Sequence, residues 1–396
     1  MNAPKRPVPT PLRGNDTAYT KDSIVRRLRE ILQRVLAENK LPETAVAQLI
    51  ALHNSIPHGT ITSLPNHLAP DLDEWQASIE PYLGQTWLEA PWFFVETYFY
   101  RRIIAIVDHF RQGIDPFAQQ KRQSLAKATN QTIALANQVS QNIPHGWQPD
   151  VFRQLLLADL WGNQADMSMW AAGDEAMPNH AEAADQTAHL LVDDGTAVTQ
   201  KLHTPVNRID FIIDNAGFEL IGDLFLADYL LATGQTTAVW FNLKLFPTFV
   251  SDATPYDVES TVAYLNHHAS PALQIIGERL ISHLVNGRLR LTTHPFWTSP
   301  HPLWQLPDEL RHKLSAADLL ISKGDANYRR ALGDAPWPHT TLFTDIVSYL
   351  PTPTLFLRTS KSEVLAGLSE AQAAKMAQLE EDDWLVNGRW GVIQLA

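Results

Sequence analysis

The sequence predicts an α/β fold, in which an N-terminal helical, bundle-like region precedes a Rossmann-like α/β/α domain with a mostly parallel sheet. Two observations predict it. Residues from about 21 to 190 repeat apolar side chains at helical spacing, whereas from about 191 onward short apolar runs alternate with helical patterns. Such alternation is typical of a parallel sheet flanked by helices. We therefore divide the chain into a flexible arm (1–20), a helical domain (21–190) and an α/β domain (191–396).

The helical elements come first along the chain. Residues 23–37 repeat apolar side chains every three or four positions, and residues 87–110 form a long aromatic segment with the same period. A further helix closes at Gly162. The later part of the chain predicts strands at 211–213, 237–241, 319–322 and 355–357, with helices near 218–232, 256–266 and 271–285.

Composition restricts the function without identifying it. A chain of 396 residues that is 45% hydrophobic can bury a large core in one or two domains. Its net charge of −12 argues against a nucleic-acid partner, because phosphate backbones require a basic surface. A small phosphorylated metabolite is not excluded, since local Lys and Arg can dominate a pocket.

Localisation follows from three absences in the sequence. There is no cysteine, so neither a disulfide nor a thiolate metal site can form. The first residues lack the apolar core of a signal peptide, and no apolar run approaches the ~20 residues of a membrane span. We expect a cytoplasmic protein without a membrane partner. The oligomeric state stays open, and a monomer is one possibility.

The most informative stretch is the end of the strand near residue 213. Asp214 and Asn215 follow a run of β-branched and aromatic residues, and Gly217 permits a tight turn before the next helix. An α/β fold presents its chemistry at this edge of the sheet. Adjacent Asp and Asn offer hard oxygen ligands to a divalent cation. An ordinary turn with an Asp–Asn helix cap explains the same residues.

Other candidates also have two interpretations. Asp252 is either a further ligand or part of a routine helix start. Lys323 follows a predicted strand and suits a phosphate, but without further information a solvated lysine beside a helix cap at Asp325 is the simpler interpretation. Glu219 lies one helical turn beyond Asn215, so it either leans back toward that turn or stabilises the helix N-terminus. Among N-terminal residues, Arg27, Arg101, Arg102, Asn163 and Asp166 are secondary pocket candidates.

Several motifs together resemble a known family. In chain order they are PWFFVETYFYRR (91–102), LWGNQADMS (160–168), DNAGFE (214–219), VSDAT (250–254), KGDANYR (323–329) and LRTSKS (357–362). This ordered set resembles the metal-dependent damage-control phosphatases, in the subfamily also described as acidic-residue (protein-glutamate) methyltransferase-like. The resemblance runs from about residue 20 to the C-terminus.

The resemblance implies a site in the α/β domain. In the family, the Asp–Asn pair and the later Asp hold one divalent cation and are catalytic, and these positions are Asp214, Asn215 and Asp252 here. All-oxygen ligands favour Mg²⁺ or Mn²⁺, for which Co²⁺ or Ni²⁺ can substitute. The remaining motif positions imply substrate contacts by Glu219, Lys323, Gly324, Asp325, Ala326, Asn327, Arg358 and Lys361.

The function expected from the resemblance is metal-dependent hydrolysis of small phosphate monoesters, including sugar phosphates such as fructose phosphates, in metabolite damage control. One alternative is transfer of a methyl group from S-adenosylmethionine to protein glutamate. It fits the residues less well, because methyl transfer needs neither a metal nor phosphate-directed lysines, and no Gly-rich nucleoside-binding loop follows a first strand. A non-catalytic sugar-phosphate-binding protein is the other alternative.

Overall fold

The computed structural model describes residues 3–65, 69–166, 187–379 and 383–396. Its N-terminal part is helical, and a π-helix, Ser23–Arg27, joins the first two α-helices. The helices of this part are α1 (Ala18–Asp22), α2 (Leu28–Glu38), α3 (Glu43–Ser55), α4 (Leu72–Ile79), α5 (Trp92–Ile106), α6 (His109–Gln112), α7 (Ala118–Lys127), α8 (Thr129–Asn142) and α9 (Pro149–Asp166).

A seven-stranded sheet forms the second part. Its strands are β1 (Leu190–Asp193), β2 (Val206–Ile212), β3 (Thr236–Leu243), β4 (Leu289–Thr293), β5 (Leu319–Lys323), β6 (Thr354–Thr359) and β7 (Gly391–Leu395). The flanking helices are α10 (Gly195–Lys201), α11 (Phe218–Ala232), α12 (Pro255–His267), α13 (Pro271–Val285), α14 (Asp308–Ser315), α15 (Gly324–Leu332), α16 (Phe343–Ile346) and α17 (Glu370–Met376).

The strand order is β1-β7-β6-β5-β2-β3-β4. The five strands from β6 to β4 pair in parallel, while β7 pairs antiparallel with β6 and parallel with β1. The predicted fold class, helices followed by a mostly parallel α/β sheet, is therefore confirmed. Within the described ranges, no helix is both long and apolar enough to cross a membrane.

Two hydrophobic cores cover the two faces of the sheet. Along β2, Ile209 and Phe211 belong to one core and Ile212 to the other, as the two-residue period of a strand requires. The first core also contains residues of α8 and α9, and the second contains residues of α2, α3 and α5. Residues of the N-terminal helices therefore pack in both cores together with residues of the sheet. The boundary predicted near residue 190 marks a change in sequence pattern and does not separate two hydrophobic cores.

The N-terminal residues expected to form a flexible arm are in contact with the rest of the fold. Leu12 is buried, its N–H donates to the Asp334 carbonyl at 3.0 Å, and its carbonyl accepts from the Trp92 N–H at 2.7 Å. Arg6 forms an ion pair with Asp345 at 3.0 Å. These contacts hold the start of the chain against α5 and the loop that follows α15.

Candidate active site

The candidate site lies where the strand order reverses. From β2 the chain continues to β3 and β4 on one side, whereas β5 and β6 lie on the other side of β2. Open α/β sheets bind ligands in the crevice that such a reversal creates at the carboxyl ends of the strands. A cavity of about 630 Å³ is present there, between this edge of the sheet and the N-terminal helices.

Asp214 and Asn215 follow β2 directly and line the cavity. Asp214 Oδ2 accepts a hydrogen bond from Asn215 Nδ2 at 2.8 Å, and the same amide donates to Glu219 Oε2 at 2.8 Å. Asn215 Oδ1 accepts from Ser251 Oγ at 2.5 Å. The turn after β2 is therefore held from both sides, which fixes where the oxygen atoms point.

The loop after β3 brings Asp252 to the same place. Asn215 and Asp252 form an isolated backbone bridge, and the Ala253 N–H donates to the Asp214 carbonyl at 2.8 Å. The Lys244 ammonium lies 3.0 Å from Asp252 Oδ2 and donates to the Ile213 carbonyl at 3.0 Å. The three predicted metal ligands are thus adjacent in space, although 38 positions separate Asp214 from Asp252.

This loop has an unusual backbone conformation. Phe249 and Val250 have φ values of 46° and 68°, in the left-handed region that a β-branched residue such as valine strongly disfavours. Consecutive residues in this region cost of order 1–3 kcal/mol each and persist only where the surroundings enforce them. Both residues line the cavity, so the strain lies beside the candidate metal ligands.

The electrostatics of the cluster favour a bound cation. Burial, Asp252 and Glu219 raise the pKa of Asp214 well above its usual range. Burial likewise raises the pKa of Asp252, although Lys244 opposes it. Asp214 Oδ1 is buried and has no hydrogen-bond partner in the part of the chain that the structure describes. This carboxylate oxygen beside a second buried carboxylate fits a hard divalent cation such as Mg²⁺ or Mn²⁺.

The donor set is nevertheless small. Among the described residues, no group of three or more His, Cys, Asp or Glu side chains has an arrangement that could hold a metal ion. Two carboxylates and one amide make up the candidate set, which leaves coordination positions for substrate and water, as Mg²⁺ sites commonly do.

Lys323 lies behind the cavity rather than in it. Its ammonium is 2.6 Å from Asp159 Oδ1, 3.0 Å from Asp223 Oδ1 and 3.6 Å from Glu219 Oε1, and all four side chains are buried. Burial raises the pKa of Asp159 to about 6 and that of Asp223 well above its usual range. The expected contact between Lys323 and a phosphate does not agree with this geometry, because three carboxylates already surround the ammonium.

Gly324 and Asn327 position the backbone of the site. Gly324 has a φ of 78°, and a Cβ atom added to it would lie 1.9 Å from Asp214 Oδ2. Asn327 is buried and its amide donates to the Lys323 carbonyl at 2.9 Å. Both residues connect β5 to the end of β2, and neither lines the cavity.

The motif LRTSKS (357–362) contains one buried cation, Arg358, and one that faces the cavity, Lys361. The buried Arg358 guanidinium donates to Asp325 Oδ1 at 2.7 Å and to the Val364 carbonyl at 2.6 Å. Burial raises the pKa of Asp325, but Arg358 and Arg329 outweigh it and hold that pKa below its usual value. Lys361 faces the cavity, and its ammonium has no hydrogen-bond or ion-pair partner among the described residues.

The structure therefore divides the predicted residues into two groups. The cavity is lined by Asp214, Asn215, Asp252, Asp325, Ala326 and Lys361. Outside its lining lie Glu219, Lys323, Gly324, Asn327 and Arg358, which support the first group. Of the N-terminal arginines, Arg27 lines the cavity, whereas Arg101 is ion-paired with Asp71 at 2.8 Å and Arg102 donates to Thr62 and Tyr98. The side chains of Asn163 and Asp166 lie outside the described residues.

Sequence reasoning missed the residues that neutralise charge behind the site. Lys244, Asp159 and Asp223 belong to no recognised motif, yet they contact the predicted residues directly. One signal was available, because Glu219 and Asp223 are four positions apart on one helix and so share a face. Glu96 forms an ion pair with Arg329 at 2.6 Å and lines the cavity. In the sequence it is noted only as a member of the motif PWFFVETYFYRR (91–102), without a role of its own.

Comparisons with known proteins agree with the motif resemblance. The family model described as the damage-control phosphatase ARMT1-like domain matches residues 13–376. Two relatives called damage-control phosphatase ARMT1 are similar: that of Danio rerio is 31% identical over 334 residues, and that of Mus musculus 33% over 330, each alignment covering 78% of this chain and 74% of the relative. A solved DUF89 family protein from Pyrococcus horikoshii has 15% identity and a TM-score of 0.47, covering 94% of this chain and 97% of its own.

Proposed function

The chain belongs to the family defined by the damage-control phosphatase ARMT1-like domain, and from that premise we propose that it is a metal-dependent phosphatase of small phosphate monoesters. We include sugar phosphates such as fructose phosphates among its substrates. One observation carries the proposal. Among the described residues, the buried Asp214 Oδ1 has no hydrogen-bond partner and the Lys361 ammonium no ion-pair partner, and both side chains line the same cavity as Asp252.

Each cavity residue has a role in this proposal. Asp214, Asn215 and Asp252 would hold the cation, which when bound polarises the phosphoryl group and orients a water molecule. Lys361 stabilises negative charge that develops on the phosphoryl oxygens during transfer. Burial lowers the pKa of Lys361, while Glu219, Asp214 and Asp325 oppose that shift. An anion bound beside Lys361 would favour its charged form in the same way.

We assign the general base to Asp252 rather than to Glu219. Asp252 lines the cavity, whereas Glu219 does not and accepts a hydrogen bond from Asn215. A raised pKa also suits a base that works near neutral pH. In the proposed step Asp252 takes a proton from the attacking water as the oxygen of that water bonds to phosphorus. The ester P–O bond breaks, and the leaving oxygen takes a proton from solvent to become the alcohol.

Phosphate release from a panel of phosphate monoesters tests the proposal. Purified protein should hydrolyse hexose phosphates without S-adenosylmethionine, should lose activity in excess chelator and should regain it with Mn²⁺, Mg²⁺ or Co²⁺. Full activity in chelator would exclude a metal mechanism. Methyl transfer to a protein carboxylate with no phosphate released from any ester would favour the methyltransferase alternative, and hexose-phosphate binding without turnover would favour a sensor.

A further inference from the structure

Arg27 is a further cation that lines the cavity. Its guanidinium has no hydrogen-bond or ion-pair partner among the residues described by the structure, and it shares the cavity with Lys361. The neighbouring Arg26 also lines the cavity, but it forms ion pairs with Asp22 at 2.6 Å and with Glu30 at 2.9 Å. Both arginines are exposed to solvent, so they differ in their pairing rather than in their exposure.

The local backbone explains that difference. Arg27 ends the π-helix Ser23–Arg27, in which the Leu28 N–H donates to the Ser23 carbonyl five positions earlier. Single π-helical turns inside longer helices often occur at functional sites. Ile24 within this turn and Leu28 directly after it are both buried in the core. The wide turn thus directs Arg27 into the cavity while the helix keeps its packing.

The nearest carboxylates in the cavity are already paired with other cations. Glu96 Oε2 accepts from Arg329 Nη1 at 2.6 Å, and Asp325 Oδ1 accepts from Arg358 Nε at 2.7 Å. Arg27 is exposed to solvent, and although desolvation by the surrounding protein atoms opposes its charge, Tyr100 and Glu96 hold its pKa above the usual value, so it is a cation.

Arg27 and Lys361 line the same cavity and carry like charges. Burial is the largest cause of the lowered pKa of Lys361, and the charge of Arg27 lowers that pKa further. Like charges that share a cavity are unfavourable unless an anion neutralises both. The cavity therefore contains two mutually repelling cations beside a candidate metal site, which is an arrangement that an anionic ligand would stabilise.

We propose that Arg27 and Lys361, which line the same cavity, together clamp the phosphoryl group of the substrate. A guanidinium can donate two parallel hydrogen bonds to phosphate oxygens, whereas an ammonium acts as a point charge. The clamp would thus orient the phosphoryl group as well as neutralise it. This inference rests on the proposed function for its meaning, but its test does not need turnover.

Binding of inorganic phosphate to Mn²⁺-supplemented protein tests the clamp by titration calorimetry. Loss of a hydrogen bond to a charged group costs about 1.5–3 kcal/mol, so Arg27→Ala should weaken phosphate binding about tenfold to a hundredfold. Arg27→Lys keeps the charge and should recover only part of the affinity. It also serves as the informative variant if Arg27→Ala fails to fold. Lys21→Ala, which removes an exposed positive charge earlier in the same helical segment, should bind phosphate as the wild type does.

Wild-type affinity in both Arg27 variants, or no phosphate binding by the wild type, would overturn the clamp. A parallel assay of hexose-phosphate hydrolysis separates this outcome from failure of the proposed function. If the wild type hydrolyses the ester and the Arg27 variants bind phosphate normally, only the clamp is wrong. If phosphate binding depends on Arg27 and no ester is hydrolysed, the clamp is supported and the phosphatase proposal is wrong.

Discussion

Gly324 lies directly against Asp214. A Cβ atom added to Gly324 would lie 1.9 Å from Asp214 Oδ2, and the glycine has a φ of 78°. The residue after β5 therefore has two reasons to be glycine: a left-handed backbone and the absence of a side chain. This contact lets the ends of β2 and β5 approach closely enough to place Asp214 at the edge of the cavity.

Gly324→Ala should therefore displace Asp214 and remove most of the activity. A shift of about 1 Å in a reacting group can cost about a hundredfold in rate, and we expect a loss of at least that size in kcat. Gly234→Ala is the matched control, since Gly234 has a similar φ of 73° and nothing within 4 Å of its Cβ position. It reports backbone strain alone, of about 1–3 kcal/mol. Equal kinetics in the two variants would contradict a role for the Gly324–Asp214 contact.

Lys361→Ala should reduce turnover without unfolding the protein. Losing one donor that stabilises transition-state charge typically costs about 2.7–4 kcal/mol, or roughly a hundredfold to a thousandfold in rate. Lys361→Arg should rescue poorly, because the guanidinium has a different reach and geometry. Lys313→Ala removes an exposed lysine from the last turn of α14 and should leave steady-state kinetics with a hexose phosphate unchanged. Near-normal turnover in Lys361→Ala would disprove its contact with the phosphoryl group.

Lys323→Ala should act chiefly on stability. It leaves three buried carboxylates without their cation, and breaking a buried ion pair in this way costs about 3–5 kcal/mol. Urea unfolding should therefore show a large loss in the free energy of unfolding. Adding Asp223→Asn to this variant should restore part of that loss, because one uncompensated charge disappears. A fully stable but inactive Lys323→Ala protein would instead support the direct phosphate contact that the sequence predicts.

Much of the site could be predicted because it depends on strand order along the chain. Asp214 and Asp252 follow neighbouring parallel strands, whose carboxyl ends meet at one edge of the sheet. Lys323 ends such a strand, but its partners Asp159 and Asp223 are 164 and 100 positions away. The packing of α9 against α11 brings them together, and no local pattern reports it. Sequence reasoning therefore indicated which edge of the sheet carries these residues but could not tell which lysine lines the cavity.

Asp214→Asn should stabilise the metal-free protein and abolish its response to metal. Burial, Asp252 and Glu219 raise the folded-state pKa of Asp214 above its unfolded value. The stability linked to its proton is therefore full below the unfolded pKa and is lost as the pH rises through the folded pKa. In chelator at about pH 8, the variant should melt at a higher temperature than the wild type, and this gap should shrink as the pH falls toward about 4.

With added Mn²⁺, the wild type should melt at a higher temperature than Asp214→Asn. A cation that binds only the folded state stabilises it, so the melting temperature of the wild type should rise with Mn²⁺ concentration, whereas that of Asp214→Asn should change little. Thermal melting followed by differential scanning fluorimetry, with chelator and with Mn²⁺ across this pH range, measures both effects. Asp308→Asn, at the exposed start of α14, should respond to Mn²⁺ as the wild type does. If metal-free Asp214→Asn melts below the wild type at about pH 8, or if the two gain equally from Mn²⁺, then Asp214 is not the destabilising charge that a bound cation relieves.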